Sequence, residues 1–364
     1  MICFTWWGLT QYAARVIEAF NKVSKEPVCV VATRPHSSPV EGMEQILTCP
    51  LVWVKEGDVE FATRLPEVPR VLFVSNWNLP CWKYLELVVK NNGGKTVAMI
   101  DTNYRCFGVG NGRLKAFLKQ YAWILRFRLF VSHRFNSFFV VGTSGRKLMR
   151  HCGVPENRVF HGLYGADSSL FYDGASLSQR PKRIIYVGQF INRKNVRRMI
   201  LAFLQAKKVA GDVANEWHLD LYGAGAFADE LSRMISQAGD CSVAMHPFCQ
   251  PERLAVEYRR SRVFCLPSLE EHWGVVVHEA ALSGCALLLA KGVGAGEDFL
   301  GKDNGILFDP FSVDAMSQAM LQIMRWSDEQ WCHAHEESVR LASSFGLERF
   351  VRSAIKICAD ATVP

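Results

Sequence analysis

Hydrophobic positions along this chain fall into two alternating kinds of run. Short, nearly unbroken apolar stretches at residues 1–6, 28–32, 71–75, 97–101 and 138–142 read as buried strands. Between them, residues 11–25, 82–91 and 113–134 are longer and mix polar with apolar positions at helical spacing. This alternation is the rhythm of a parallel sheet with crossover helices. A polar stretch over residues 167–183 interrupts it. The pattern then restarts, with strands expected at 183–188, 218–223, 263–267 and 286–290. Helices are expected at 195–209, 226–238, 276–283, 313–325 and 347–361. The sequence therefore predicts an α/β protein of two Rossmann-like domains, 1–168 and 169–346. A last helix within 347–364 is expected to pack back towards the N-terminal domain. Ligands of such sheets bind outside the carboxyl ends of the strands, which places the expected site in a deep cleft between the domains.

The length of 364 residues suits two domains. With 49% hydrophobic and 21% charged residues the chain is too apolar to be disordered. No run of about 18 apolar residues exists, so no spanning helix is expected. Residues 1–7 carry no basic segment and no small-residue cleavage site, so no signal peptide is expected. The twelve cysteines are scattered without a C-x-x-C pair. That favours reduced thiols in a cytoplasmic protein over a metal knuckle.

The formal charge of +7 matters less than its placement. Residues 102–155 contain no Asp or Glu, yet hold Arg105, Arg113, Lys115, Lys119, Arg126, Arg128, Arg134, Arg146, Lys147 and Arg150. Within the helix expected at 113–134, Phe117, Tyr121, Trp123, Ile124, Phe127 and Phe130 interleave with these cations. At 100° per residue, Lys115, Lys119 and Arg126 fall within about 40° of one another. A basic, aromatic-rich helix of this kind suits an anionic membrane surface. The plainer alternative is a core helix with one solvated cationic edge. Nucleic acid finds no recognition motif here.

The segment 267–284 bears the most chemistry. It sets Glu271 and Glu279 eight positions apart, across a turn containing Gly274 that opens a helix. Free backbone N–H groups at a helix start suit a phosphate or a sugar hydroxyl, and two carboxylates can grip two sets of hydroxyls. The plainer alternative makes Glu271 a helix cap and pairs Glu279 with a basic neighbour. His278 is expected to pack on its helix.

This segment resembles the Glu-x7-Glu signature of glycosyltransferase family 4, the retaining enzymes of GT-B fold that include bacterial polysaccharide and lipopolysaccharide types. Residues 183–195, containing Gly188, Arg193 and Lys194, resemble the strand, Gly turn and Lys that open the family's donor domain. Residues 221–225, with Gly223 and Gly225, resemble its second glycine turn, and 304–310 its late strand and turn. The resemblance spans about 180–325. It implies that Lys194, with Arg193, contacts the donor diphosphate, that Glu279 holds the ribose hydroxyls, and that Glu271 faces the donor sugar near His272 and the amides of Trp273 and Gly274. Gln189 stands where many members have Arg, and Pro247 where a Gly usually precedes the base loop; Phe248 is then the residue expected to frame the base.

In the N-terminal half, Gly8 lies in a stretch resembling the family's first strand-to-helix turn, with one glycine where many members have two. Asp101 ends an expected strand where many members place a His; it is the candidate for the reactive sugar or the acceptor hydroxyl, with a simple turn formed with Asn103 as the alternative. The implied activity is retaining, metal-independent hexosyl transfer, with Asp101, Lys194 and Glu271 as catalytic candidates. It takes a UDP- or GDP-sugar as co-substrate and no other cofactor. The acceptor is a lipid-linked saccharide or lipopolysaccharide core at the inner face of the membrane. The chain contains no Asp-x-Asp. Two other readings stand beside this one. Gly223-Ala-Gly225 is a weak dinucleotide fingerprint for an NAD-dependent oxidoreductase, and a non-catalytic saccharide- or membrane-binding module would keep the fold without the chemistry.

Overall fold

Every strand pairing among the described residues is parallel. Each strand therefore returns through a crossover, which the helical runs supply. The computed structural model describes residues 1–34, 42–58, 60–103 and 113–360, apart from the side chains of 113–116. Arg105 and the side chains of Arg113 and Lys115 thus lie outside the described residues.

The chain divides into two units. The first comprises Met1–Gly165 together with the chain from Phe345 onward, and the second is Ala166–Ser344. In the first, β1 (Ile2–Trp6), β2 (Val28–Ala32), β3 (Leu51–Trp53), β4 (Val71–Val74), β5 (Lys95–Ile100), β6 (Ser137–Val140) and β7 (Val159–His161) form one sheet. Its order is β3-β2-β1-β4-β5-β6-β7. In the second, β8 (Arg183–Val187), β9 (His218–Tyr222), β10 (Val243–His246), β11 (Val263–Leu266), β12 (Ala286–Ala290) and β13 (Gly305–Phe308) are ordered β10-β9-β8-β11-β12-β13. Both sheets have the doubly wound order, reversing direction between β1 and β4 and between β8 and β11. Their central strands read as continuous apolar runs because both faces are covered: β1, β2 and β12 are buried throughout.

The helix Leu347–Asp360 belongs to the first unit. Phe350 is fully buried and packs on Phe4 and Phe139, with ring centroids 6.0 and 5.1 Å away. Ser353 donates to the His161 carbonyl at 2.8 Å, and the Arg349 guanidinium lies 2.8 Å from the His161 Nδ1. Burial, and then Arg349, hold His161 down at about 4, so near neutral pH it is an uncharged acceptor for that guanidinium.

The basic stretch is partly neutralised in three dimensions. The expected helix ends at Phe130 rather than at 134. Beyond it, Arg134 reaches the buried Glu86 and the Trp77 carbonyl, and Arg146 and Arg150 both pair with Glu156. What remains on the helix Arg113–Phe130 is two-sided. Phe127 is buried and Trp123 and Ile124 pack against the core. Phe117, Leu118, Tyr121, Leu125 and Leu129 are exposed, Phe117 by 63% and Tyr121 by 61%. At 100° per residue those five span about 120°, with Lys119 and Arg126 along one edge. A helix apolar on two faces has no single amphipathic stripe, which is why periodicity did not reveal its outer face.

Candidate functional site

In doubly wound sheets the two loops that leave the reversal point diverge and open a crevice beyond the strand ends. In the second unit these are the loops after β8 and β11. The first runs from Gly188 to a short turn Asn192–Lys194. The second runs from Pro267 to Gly274, which starts the helix Val275–Leu282. Lys194 and Glu271, 77 residues apart, meet here in a buried ion pair. Arg193 adds a second cation 3.6 Å from the same carboxylate and donates to the Glu270 carbonyl at 3.1 Å. The Ser268 hydroxyl donates to Glu271 at 3.2 Å. Burial works to raise the Glu271 pKa, but Lys194, Arg193 and Ser268 outweigh it and hold it below the ordinary carboxylate range.

The backbone locks this cluster in place. Asn195, left-handed at φ 59°, donates through its carboxamide to the Pro267 and Pro310 carbonyls at 3.1 and 2.8 Å, tying three loops to one side chain. The Glu271 carbonyl accepts from Gly294 at 3.2 Å, and that of Trp273 from Ala295 at 3.0 Å. Gly274 has φ 94°, and a Cβ there would stand 3.3 Å from the Glu271 side chain. A larger residue would strain the turn and crowd the carboxylate. The helix N-cap is Gly274, and the Glu271 carboxylate is held by the ion pair with Lys194.

Glu279 lies on that helix and accepts from the fully buried Tyr258 hydroxyl at 3.2 Å. Burial raises its pKa to about 7, with only the Tyr258 bond acting against that. Its hydrogen-bond partner is a phenol and no cation sets its pKa, in place of the alternative of pairing with a basic neighbour. His278 is structural: its Nδ1 accepts from the Ala166 amide, its Nε2 lies 3.0 Å from the Ala342 carbonyl, and it stacks on Phe299. Those two bonds require the neutral Nε2–H tautomer. Trp273 is buried edge-on against Phe299, and half-exposed His272 lies 3.8 Å from Glu270. Phe248 follows β10, half-buried.

The two glycine turns touch. A Cβ on Gly223 would fall 1.9 Å from the Gly188 carbonyl oxygen, and one on Gly225 2.6 Å from that of Phe190. The amides of Gly188 and Phe190 donate to Tyr222 and Ala224 across the same contact. Backbone packing thus accounts for the glycine pair that read as a dinucleotide fingerprint.

In the first unit the equivalent reversal point lies between β1 and β4, with Gly8 in the loop after β1, and Asp101 follows the next strand, β5. The Gly8 amide is already committed to the Thr33 hydroxyl at 2.8 Å. Asp101 is the first residue beyond β5, with the Tyr164 hydroxyl 3.5 Å away. It lines a cavity of about 300 Å³ together with Trp6, Trp7, Ser75, Asn76, Trp77, Asn78, Thr102, Trp123 and Tyr164. Sequence reasoning passed over this cavity, and also Ser268, Asn195 and Tyr258. One signal was present, the run Ser75-Asn76-Trp77-Asn78 directly after a strand. Among the described residues no group of three or more His, Cys, Asp or Glu side chains is arranged to hold a metal ion.

Two doubly wound α/β units with crevice-forming loops define the GT-B fold. Residues 173–335 match the family profile described as Glycosyl transferases group 1. A D-inositol 3-phosphate glycosyltransferase from Rhodococcus opacus is 26% identical over 231 residues, covering 60% of this chain and 51% of its own length. The chain thus spans about half of that curated relative. HepE from Anabaena, in complex with UDP and glucose, is 13% identical with a TM-score of 0.73, covering 99% of this chain and 100% of that one. Sucrose-phosphate synthase from Thermosynechococcus elongatus is 14% identical with a TM-score of 0.71, over 99% of both chains. These similarities establish the fold across nearly the whole chain.

Proposed function

We propose that this protein is a retaining glycosyltransferase that moves a hexose from a UDP- or GDP-sugar to a lipid-linked saccharide, such as a lipopolysaccharide core. The observation that carries the reading is the Lys194–Glu271–Arg193 cluster at the reversal point of the unit that matches the Glycosyl transferases group 1 profile. In the reaction the bond from the anomeric carbon to the diphosphate oxygen breaks and its electron pair leaves with the phosphate. Lys194 and Arg193 stabilise that growing charge as fixed cations, with no metal ion needed. Glu271 orients the donor sugar beside His272, Trp273 and Gly274. Glu279 accepts the ribose hydroxyls, Phe248 flanks the base, and the turns at Gly188 and Gly223 border the diphosphate. The acceptor oxygen bonds to the anomeric carbon on the face the phosphate leaves, and its proton passes to a phosphate oxygen. Configuration is thereby retained without a protein nucleophile. Asp101, after β5 in the first unit, contacts the acceptor. The complex of HepE with UDP and glucose supports the donor class.

With a chelator present, saturating UDP or GDP is expected to raise the melting midpoint of the full chain by several degrees, and NAD to leave it unchanged. A ligand at 100 times its Kd adds about 2.7 kcal/mol. A shift with NAD alone would replace this reading with the oxidoreductase. Nucleotide binding without turnover of any nucleotide-sugar would leave a non-catalytic module.

The acceptor's lipid is inferred from the helix Arg113–Phe130. Among the described residues no helix is long and apolar enough to cross a membrane. The exposed apolar face of this one, edged by Lys119 and Arg126, matches the interface of an anionic leaflet. The described cysteines are all free thiols, in keeping with the inner, reducing face. Binding to phosphatidylglycerol vesicles is expected to weaken about 30-fold in the double variant Lys119→Gln/Arg126→Gln, at about 1 kcal/mol per cation. Unchanged sedimentation with vesicles would count against a membrane contact.

A further inference from the structure

The cavity in the first unit has walls of unusual chemistry. Four tryptophans and a tyrosine line it: Trp6, Trp7, Trp77, Trp123 and Tyr164. Its polar lining is Ser75, Asn76, Asn78, Asp101 and Thr102, and among the described lining residues there is no Lys, Arg or His. Asn76 holds a left-handed φ of 41°, one of two non-glycine residues with positive φ among the described residues. The other, Asn195, lies in the loop after β8 of the second unit. A backbone kept in this sparsely populated region marks a loop whose shape is fixed by its surroundings. At about 300 Å³ the cavity sits at the lower end of the usual range for small-molecule sites.

We propose that this cavity binds a neutral pyranose ring, the accepting sugar of the glycosyl-transfer reading on which this inference rests, and that it rejects phosphorylated polyols. Aromatic faces pack against the C–H face of a sugar ring and remove it from water. Carboxamides both donate and accept, so Asn76 and Asn78 can each bridge neighbouring hydroxyls. Asp101 accepts from a third hydroxyl. Burial, and then Asp101 itself, push the Tyr164 phenol well above its ordinary pKa, so it stays a donor. A phosphate monoester would face the Asp101 carboxylate with no described cation in the lining to compensate it, and like charges at close range repel. This separates the chain from a relative whose name specifies an inositol phosphate.

Because four tryptophans report on the cavity, the test is titration of intrinsic fluorescence in the full chain without any donor. The probes are methyl α-glucoside, glucose 6-phosphate and inositol 1-phosphate. The neutral glycoside is expected to bind and the two phosphates to bind at least tenfold more weakly. Asn78→Ala and Asp101→Asn, both at exposed positions, are each expected to weaken the glycoside about tenfold, the value of one lost hydrogen bond. Tighter binding of either phosphate, or glycoside affinity unchanged in both variants, would overturn the proposal. Absence of any glycoside response while UDP still raises the melting midpoint would overturn it and leave glycosyl transfer standing. A glycoside response without any nucleotide response would do the reverse.

Discussion

Lys194→Met is expected to lower turnover roughly 10²–10³-fold, the cost of losing one preorganised group that stabilises developing negative charge. The same change is expected to destabilise the fold. Lys194 and Glu271 are both buried, and removing one member of a buried pair leaves an uncompensated charge, typically worth 3–5 kcal/mol. Arg193, 3.6 Å from Glu271 but half-exposed, covers part of that loss, so about 3 kcal/mol is the expected figure. Activity and stability separate in the double variant Lys194→Met/Glu271→Gln. With both charges gone the desolvation problem disappears, and Ser268 keeps an acceptor in the Gln carbonyl. Urea unfolding is then expected to return close to the parent midpoint while turnover stays lost. A double variant that remains as unstable as Lys194→Met would show that the pair does not govern local stability. Full turnover in Lys194→Met would remove the phosphate role.

Glu279→Gln has the opposite signature. Burial raises the Glu279 pKa to about 7, so the folded state holds a proton that the unfolded state releases above about 4.5. The stability this group contributes is complete below about pH 4.5 and is lost as pH rises through about 7. Above pH 7 the half-buried carboxylate costs up to about 3 kcal/mol. Glu279→Gln is therefore expected to melt higher than the parent at pH 8 and about equal at pH 4.5. A ribose hydroxyl donating to Glu279 favours its ionised form, so nucleotide affinity of the parent is expected to fall as pH drops below 7. In the variant that dependence disappears and affinity is low throughout. Calorimetric titration with UDP at several pH values measures both effects. A parent whose affinity is flat between pH 6 and 8 would show that Glu279 does not meet the nucleotide.

These two carboxylates illustrate how much of the site was legible in sequence. Their spacing across a Gly turn and their local elements followed from the order of residues. Their opposite environments did not, because the partners Lys194 and Tyr258 come from other loops and helices. The short strands β3, β7 and β10 also escaped notice, since three or four residues show too little alternation to distinguish a strand from a loop. The helix Asp328–Ser343 was overlooked despite a readable signal: Ser327 and Gln330 form a reciprocal capping box at its start.

The sequence by itself determined the α/β rhythm, the break before residue 183 and the loops that bear cations and carboxylates, because hydrophobic period and turn chemistry are local properties. The tertiary structure decided which of those loops meet. It joined Lys194 to Glu271 across 77 residues, diverted Arg134, Arg146 and Arg150 into ion pairs, and closed four tryptophans around one cavity. In a parallel sheet each neighbouring strand returns only after a long crossover. Side chains at one end of the sheet are thus neighbours in space while tens of residues apart in the chain, and no local pattern records that meeting.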